Sequence, residues 1–282
     1  MKIIFVCTGN TCRSPLAEGY LKTFKIKNLE VFSRGIEAFG DAASEHSVTV
    51  AKENGFDISN HISTQFSLSD FDADKIICLS HNHLNCLQNF GVENEKLLLL
   101  GGGISDPYGM PLGNYRLCAK QIFDAVDELV FSGKLFEFEI ESINENDIKD
   151  IARLEKECFS EPWSENAIIE SVKAGTHFFA AKKGDNLCGY IGISTVIDEG
   201  YITNVAVFDS MRNKGVATLL LNRVFSFARS LNLSFVSLEV RASNKAAISL
   251  YEKLGFTNEG IRKGFYQFPK EDAIIMTRRF FK

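Results

Sequence analysis

Residues 7–15 read CTGNTCRSP and follow directly on the apolar run KIIFV at positions 2–6. A β-branched run of this kind is predicted to be a buried strand. After it come a short loop containing Gly9 and a helix over 15–24, with Ser14 as N-cap and Pro15 at the first helical position. A strand, a tight loop and a helix start in that order turn successive backbone N–H groups inward and build an anion nest. The nest is made by Thr8, Gly9, Asn10, Thr11, Cys12 and Ser14, and Arg13 adds a fork that suits a phosphoryl group. Cys7 lies at its floor. There the dipoles and the positive charge are expected to depress the thiol pKa and leave a thiolate in line with a bound phosphate.

The rest of the chain supplies the frame. Continuous apolar stretches at 2–7, 29–35, 75–80 and 97–100 alternate with helical stretches at 42–54 and 115–131. That alternation predicts a parallel sheet covered by helices on both faces, a three-layer α/β unit. The pattern stops at Ser132-Gly133-Lys134, so the domains are expected at 1–134 and 135–282. The second is a mixed α/β unit. It has a half-buried strand in FEFEIESI (136–143), strands at 177–182, 188–197, 201–208, 235–240 and 273–278, and helices at 145–158, 215–231 and 244–254. At 282 residues the chain has room for two cores.

Phosphoryl transfer also needs an acid for the leaving group. Asp106, in DPYG at 106–109, follows the fourth strand and should share the sheet edge with Cys7. Read alone, it is an ordinary Asp-Pro turn. Through C-x5-R-S-P and the distant D-P-Y, residues 1–132 resemble the low-molecular-weight protein tyrosine phosphatases. The resemblance implies a cysteinyl-phosphate on Cys7, Arg13 as the phosphoryl clamp and Asp106 as acid, then base, with Asn10 and Ser14 supporting the loop and no metal. CTGNTCRSP, SRG (33–35) and DPYG together look like the arginine-directed branch. Thr11 and Tyr108 would line the substrate pocket, and the Thr11 hydroxyl suits the polar N–H groups of phosphoarginine better than a tyrosine ring. Thr11 as a packing residue and a tyrosine substrate stay open.

An arsenate reductase-like unit is the rival, and Cys78 and Cys86 lie in the right region. Cys78 is one residue out of place in its strand, where a slip of one turns a side chain to the other face. Cys78 therefore reads as core. Cys12 either pairs reversibly with Cys7, as in some relatives of that family, or is a small residue that fits the loop. His81 and His83 make no metal cluster, and a pocket-rim or solvated position is expected for them.

A second signal stands at 203–224, TNVAVFDSMRNKGVATLLLNRV. A glycine turn with Arg212 and Lys214 opens a long amphipathic helix, a setting for a pyrophosphate or an ordinary basic turn. With EPWSE (161–165), LEVRASN (238–244), LYEKLGF (250–256), FY (265–266) and EDAIIM (271–276), residues 137–280 resemble the GNAT acetyltransferases, specifically the ribosomal-protein alanine N-acetyltransferase branch. The resemblance implies acetyl-CoA as cosubstrate, held by Val205, Ala206, Val207, the loop Arg212, Asn213, Lys214, Gly215, Val216, Ala217 and Thr218, and Asn244. It implies Glu239 as base and Tyr251 as acid, the latter with ordinary phenol acidity. Trp163, Phe265 and Tyr266 would line the acceptor channel, with core packing as their alternative. The acceptor would be the N-terminal alanine of ribosomal protein S18.

The chain thus reads as a bifunctional enzyme acting on phosphoproteins and on a protein N-terminus. The alternative is a tyrosine phosphatase joined to a lysine or small-amine acetyltransferase. A net charge of −5 argues against a dedicated nucleic-acid partner, and no apolar run is long enough for a membrane span. Seven unevenly spaced cysteines and no recognisable export signal lead to an expected cytoplasmic setting.

Overall fold

In the computed structural model, which describes residues 1–280, KIIFVC forms the strand Lys2–Cys7 (β1), whose residues after Lys2 are all buried. A strand apolar on both faces must sit inside a sheet. β1 accordingly pairs in parallel with Glu30–Gly35 (β2) on one side and Lys75–Cys78 (β3) on the other. Leu97–Leu99 (β4) extends the sheet beyond β3, giving the order β2-β1-β3-β4. Helices Arg13–Lys22 (α1), Glu45–Glu53 (α2), His81–Asn89 (α3) and Leu112–Phe131 (α4) complete the unit. Because all four strands run the same way, the loops after Cys7, Gly35, Cys78 and Leu99 gather at one edge of the sheet. Ile4, Val6, Ile76, Cys78, Leu87 and Leu97 form a core cluster under that edge.

Several boundaries differ from expectation for identifiable reasons. The first helix begins at Arg13, with Cys12 in the cap position and no side-chain cap. Ser14 does not cap it, because its hydroxyl is engaged inside the loop. The second helix starts at Glu45 behind a Ser44 cap, and Ala42 is held in a bridge with Ile62 instead. Helix α3 was not expected: HNHLNCLQN buries only His83 and Leu87, a stripe too thin for periodicity to reveal.

The chain divides into two compact units, Met1–Leu129 and the remainder from Val130 on. The second unit carries a seven-stranded sheet in the order β10-β11-β9-β8-β7-β6-β5. Its elements in chain order are Glu139–Ser142 (β5), Asp147–Cys158 (α5), Glu165–Lys173 (α6), His177–Lys183 (β6), Asn186–Val196 (β7) and Glu199–Val207 (β8). Val216–Ser230 (α7), Phe235–Arg241 (β9), Lys245–Lys253 (α8), Thr257–Gln267 (β10) and Lys270–Arg279 (β11) follow. Every neighbouring pair is antiparallel except β8 with β9. That parallel pair is in register only at Glu199–Phe235, Gly200–Val236 and Tyr201–Ser237. Beyond these residues the two strands part, and the β8 backbone from Ile202 to Val207 faces the gap. A bulge helps to open it, since the β7–β8 register passes from Gly192–Asn204 to Ile193–Ile202 and skips Thr203.

Candidate active sites

The phosphate loop is held open from its middle by Asn10. This residue is fully buried and has φ +54°, a left-handed backbone that asparagine tolerates. Its Nδ2 donates to Ser14 Oγ at 2.9 Å and to Ser33 Oγ at 2.9 Å, and its Oδ1 accepts from the Thr64 N–H at 2.8 Å. The Asn10 carbonyl in turn accepts from His61 Nε2 at 2.8 Å. The side chain and backbone carbonyl of Asn10 are thus committed to partners outside the loop, while its backbone N–H is directed at Cys7. Gly35 supports it from beside Cys7, where a Cβ would lie 2.5 Å from the Thr8 carbonyl oxygen.

Cys7 Sγ lies 3.0 Å from Ser14 Oγ at the floor of this loop. Burial is the largest influence on the thiol and pushes its pKa up. The Ser14 hydroxyl and N–H, the Arg13 charge and the Asn10 N–H pull it down. The depressed pKa expected from the loop is therefore corrected: desolvation outweighs the donors. Those donors temper the rise, and the Ser14 side chain is the strongest of them.

Arg13 and Asp106 meet over the loop in an ion pair between Arg13 NH2 and Asp106 Oδ2. Arg13 NH1 also donates to the Ile104 carbonyl at 3.1 Å, which ties it to the segment that carries Asp106. Arg13 Nε is buried and finds no acceptor among the described residues. A guanidinium donor left over in a cradle of N–H groups suits an anion. Asp106 is half exposed and its Oδ1 accepts from the Tyr108 N–H at 3.1 Å. Tyr108 itself is exposed.

Thr11 Oγ1 lies 3.6 Å from Cys12 Sγ, and Cys12 contacts Ser44 Oγ at 3.5 Å and Tyr115 OH at 3.6 Å. Cys78 is wholly buried and its thiol is pushed up to about 12 by burial, in keeping with a core residue. His83, expected at a rim or in solvent, is instead buried and places Nε2 3.0 Å from Thr8 Oγ1. Among the described residues no group of three or more ligating side chains forms a metal cluster.

In the second unit the parting of β8 from β9 places Val205, Ala206 and Val207 along a strand edge that pairs with no other strand among the described residues. A pantetheine arm can pair there as an added strand would. Gly215, φ +88°, caps α7 without a side-chain bond, which leaves the first N–H groups of that helix directed at the loop Arg212–Gly215. Arg212 is positioned by bonds to the Val207 carbonyl at 3.3 Å and to Asp209 Oδ1 at 3.0 Å. Asn244 caps α8, its Oδ1 accepting from the Ala247 N–H at 3.1 Å.

Glu239 stands on β9 two residues past the last β8–β9 pair, at the mouth of the gap. Its carboxylate is 3.2 Å from Arg262 NH1, and its carbonyl accepts from Tyr266 OH at 3.3 Å. Tyr251 is buried, and burial pushes its phenol up, with the nearby Tyr266 adding to the effect. The ordinary phenol acidity assumed for it is thus corrected, and the group keeps its proton throughout the neutral range. Arg241 stacks on the Tyr266 ring at 4.1 Å, and Arg262 on Phe265 at 4.6 Å. Trp163 packs edge-on against Phe178 with ring centroids 6.3 Å apart.

Sequence reading missed Glu155. This wholly buried residue on α5 accepts from the Trp163 N–H at 2.8 Å, from Asn204 Nδ2 at 2.9 Å and from Tyr190 OH. One carboxylate thereby joins the Trp163 segment, β7 and the bulged part of β8. Its helix shows it only as one acid among several, and nothing local separates it from the exposed Glu157.

Two outcomes follow from this geometry. Ser14→Ala removes the strongest influence lowering the Cys7 pKa, so alkylation of Cys7 by iodoacetamide should slow at neutral pH and its pH profile should move to higher pH. Glu155→Gln turns an amide donor toward groups that are donors themselves. It should cost about 1–3 kcal/mol, read as a lower denaturant midpoint in the fluorescence of Trp163, the one tryptophan of the chain.

The model of the low molecular weight phosphotyrosine protein phosphatase family matches residues 2–137, and that of the acetyltransferase (GNAT) family matches residues 148–256. A protein-arginine-phosphatase of Geobacillus stearothermophilus is 33% identical over 138 residues, covering 45% of this chain and 93% of that protein. A [ribosomal protein bS18]-alanine N-acetyltransferase of Escherichia coli K12 is 31% identical over 139 residues, 49% of this chain and 94% of that protein. An N-alpha-acetyltransferase of Saccharolobus solfataricus is 32% identical over 165 residues, 54% of this chain and 98% of that protein. Each of the two units is thus matched over nearly the whole length of a separate protein, and the chain belongs to the low molecular weight phosphotyrosine protein phosphatase family through its first unit and to the GNAT acetyltransferase family through its second.

Proposed function

We propose that the first unit hydrolyses phosphoarginine in proteins and that the second acetylates the N-terminal alanine of ribosomal protein S18. The observation that carries the first half is the Asn10-centred loop, with Cys7 and Ser14 at its floor and Arg13 and Asp106 above it. A phosphoryl dianion entering the loop competes with Asp106 for the Arg13 fork and frees the carboxyl group. Once out of its ion pair, the Asp106 carboxylate takes up a proton from solvent. Cys7 then attacks phosphorus as the thiolate while the P–N bond breaks, and Asp106 gives that proton to the departing guanidine nitrogen. In the second step Asp106 takes a proton from water, which attacks the cysteinyl-phosphate and releases inorganic phosphate and the thiolate. Thr11, partly exposed, supports an arginine substrate through its hydroxyl, as does the arginine-directed relative from Geobacillus stearothermophilus.

The acetyl transfer rests on the free β8 edge and on Glu239 at the mouth of the gap. Acetyl-CoA lies along Val205–Val207 with its pyrophosphate at Arg212–Thr218. The acceptor amine loses its proton to Glu239 and attacks the thioester carbonyl, and Tyr251 protonates the departing thiolate. Phe265, Tyr266 and Trp163 flank the acceptor.

Phosphate release by the full chain from matched phosphoarginine and phosphotyrosine peptides tests the first assignment, with Cys7→Ser as the blank. Wild type should favour phosphoarginine by about tenfold or more, and Thr11→Ile should reverse the order. A wild-type preference for phosphotyrosine would return the unit to the tyrosine-directed branch. For the second, acetyl transfer to an S18 N-terminal peptide should exceed transfer to lysine peptides and fall by about 10²–10⁴ in Glu239→Gln. Transfer to lysine peptides alone would overturn it.

A further inference from the structure

We propose that His83 is a positioning residue of the phosphatase site, holding the first amide after the nucleophile in place through its hydrogen bond to Thr8. The proposal deepens the phosphatase reading of the first unit and rests on it. Asn10 is held by Ser14, Ser33, Thr64 and His61, and the Thr11 carbonyl accepts from the Ser44 N–H at 2.9 Å. Thr8 has two anchors of its own. Its carbonyl accepts from the Glu37 N–H at 3.0 Å, and its hydroxyl meets His83 Nε2 at 3.0 Å, across 75 residues of chain. The Cys7 carbonyl, in the same peptide as the Thr8 N–H, accepts from the Ile36 N–H at 3.0 Å, so both backbone anchors come from the segment after β2 and His83 holds Thr8 from the α3 side. Without His83 the Thr8 N–H is held from the β2 side alone and can tilt off the phosphoryl oxygens.

The imidazole is built for that task. His83 is buried on α3, whose N-cap Ser80 accepts from the His83 N–H at 3.3 Å and fixes the backbone that carries the ring. Burial, helped by the Arg13 charge and opposed by Asp106, pushes the ring down to about 4, so it is neutral at physiological pH and adds no cation beside Arg13. Its Nδ1 is buried with no partner among the described residues. An unfilled lone pair is a milder fault in a protein interior than an unfilled N–H. The tautomer with hydrogen on Nε2, donating to Thr8 Oγ1, is therefore the one the site selects.

The test uses the full chain with three variants. His83→Leu removes the donor, His83→Gln keeps an amide donor near the Nε2 position, and Thr8→Val removes the acceptor at nearly constant volume. His83→Leu and Thr8→Val should each weaken inhibition by orthovanadate and lower kcat for phosphate release by about tenfold, the effect of one misdirected donor. The double variant should be no worse than either, and His83→Gln should recover most of the loss. Nitrogen-15 spectra of the wild-type ring should show the Nε2–H tautomer at neutral pH. Multiplicative losses in the double variant, vanadate inhibition unchanged in His83→Leu, or an Nδ1–H tautomer would each overturn the proposal. If wild type releases no phosphate at all, the phosphatase reading falls by itself, while the ring spectrum and vanadate binding still judge His83.

Discussion

The side chain of Asn10 is the interaction on which the first unit depends. Its amide sits at 0% exposure and joins three separate segments: the helix start at Ser14, the second strand at Ser33 and the Thr64 backbone. A loop that turns N–H groups inward, as Asn10 and Ser14 do toward Cys7, gives up hydrogen bonds of its own, and the penalty for a buried amide without partners is severe. The surrounding fold therefore has to hold the loop from outside. The parallel sheet does this by delivering Cys7, Gly35 and Cys78 to one edge, and the segments that follow each strand then become anchors for the loop. Chemistry at Cys7 follows from that frame, since the same Ser14 hydroxyl that Asn10 orients is the strongest influence keeping the thiol from its desolvated extreme.

The second unit solves a different problem with the opposite device. There the backbone is exposed rather than enclosed: three register pairs join β8 to β9, and the strands then part to leave a row of main-chain groups for a ligand. Such an opening in the middle of a sheet has to be stabilised from behind. Glu155 supplies part of that support, holding Asn204 beside the bulge and the Trp163 segment with the same carboxylate. Both units thus place a buried, partnered polar residue behind the backbone of the candidate site, which is where precise orientation matters most.

Much of this was legible in the sequence because the informative groups are close together along the chain. CTGNTCRSP compresses strand end, loop, a thiol at the loop floor and an arginine above it into nine residues, and local rules of capping and nest geometry suffice to read it. Ser14 shows the limit of those rules, since serine before proline reads as an N-cap until the thiol three-dimensionally beside it is known. His83 and Glu155 were illegible because their partners are distant: 75 residues separate His83 from Thr8, and 49 separate Glu155 from Asn204. The strand β10, TNEGIRKGFYQ, was missed because two register shifts and two glycines erase the alternation that marks a strand. The thiol pKa was misjudged in direction because sequence displays the donors but not the depth at which they lie.

The most direct measurement is calorimetric titration of inorganic phosphate into the full chain and its Asn10→Ala variant, with acetyl-CoA titrated as a control for the second unit. If the loop is held open by Asn10, phosphate affinity falls by at least about tenfold in the variant, the cost of several lost hydrogen bonds, while acetyl-CoA affinity is unchanged. Phosphate binding to Asn10→Ala as tight as to wild type would contradict the account, because the loop would then be an anion nest by virtue of its own sequence alone.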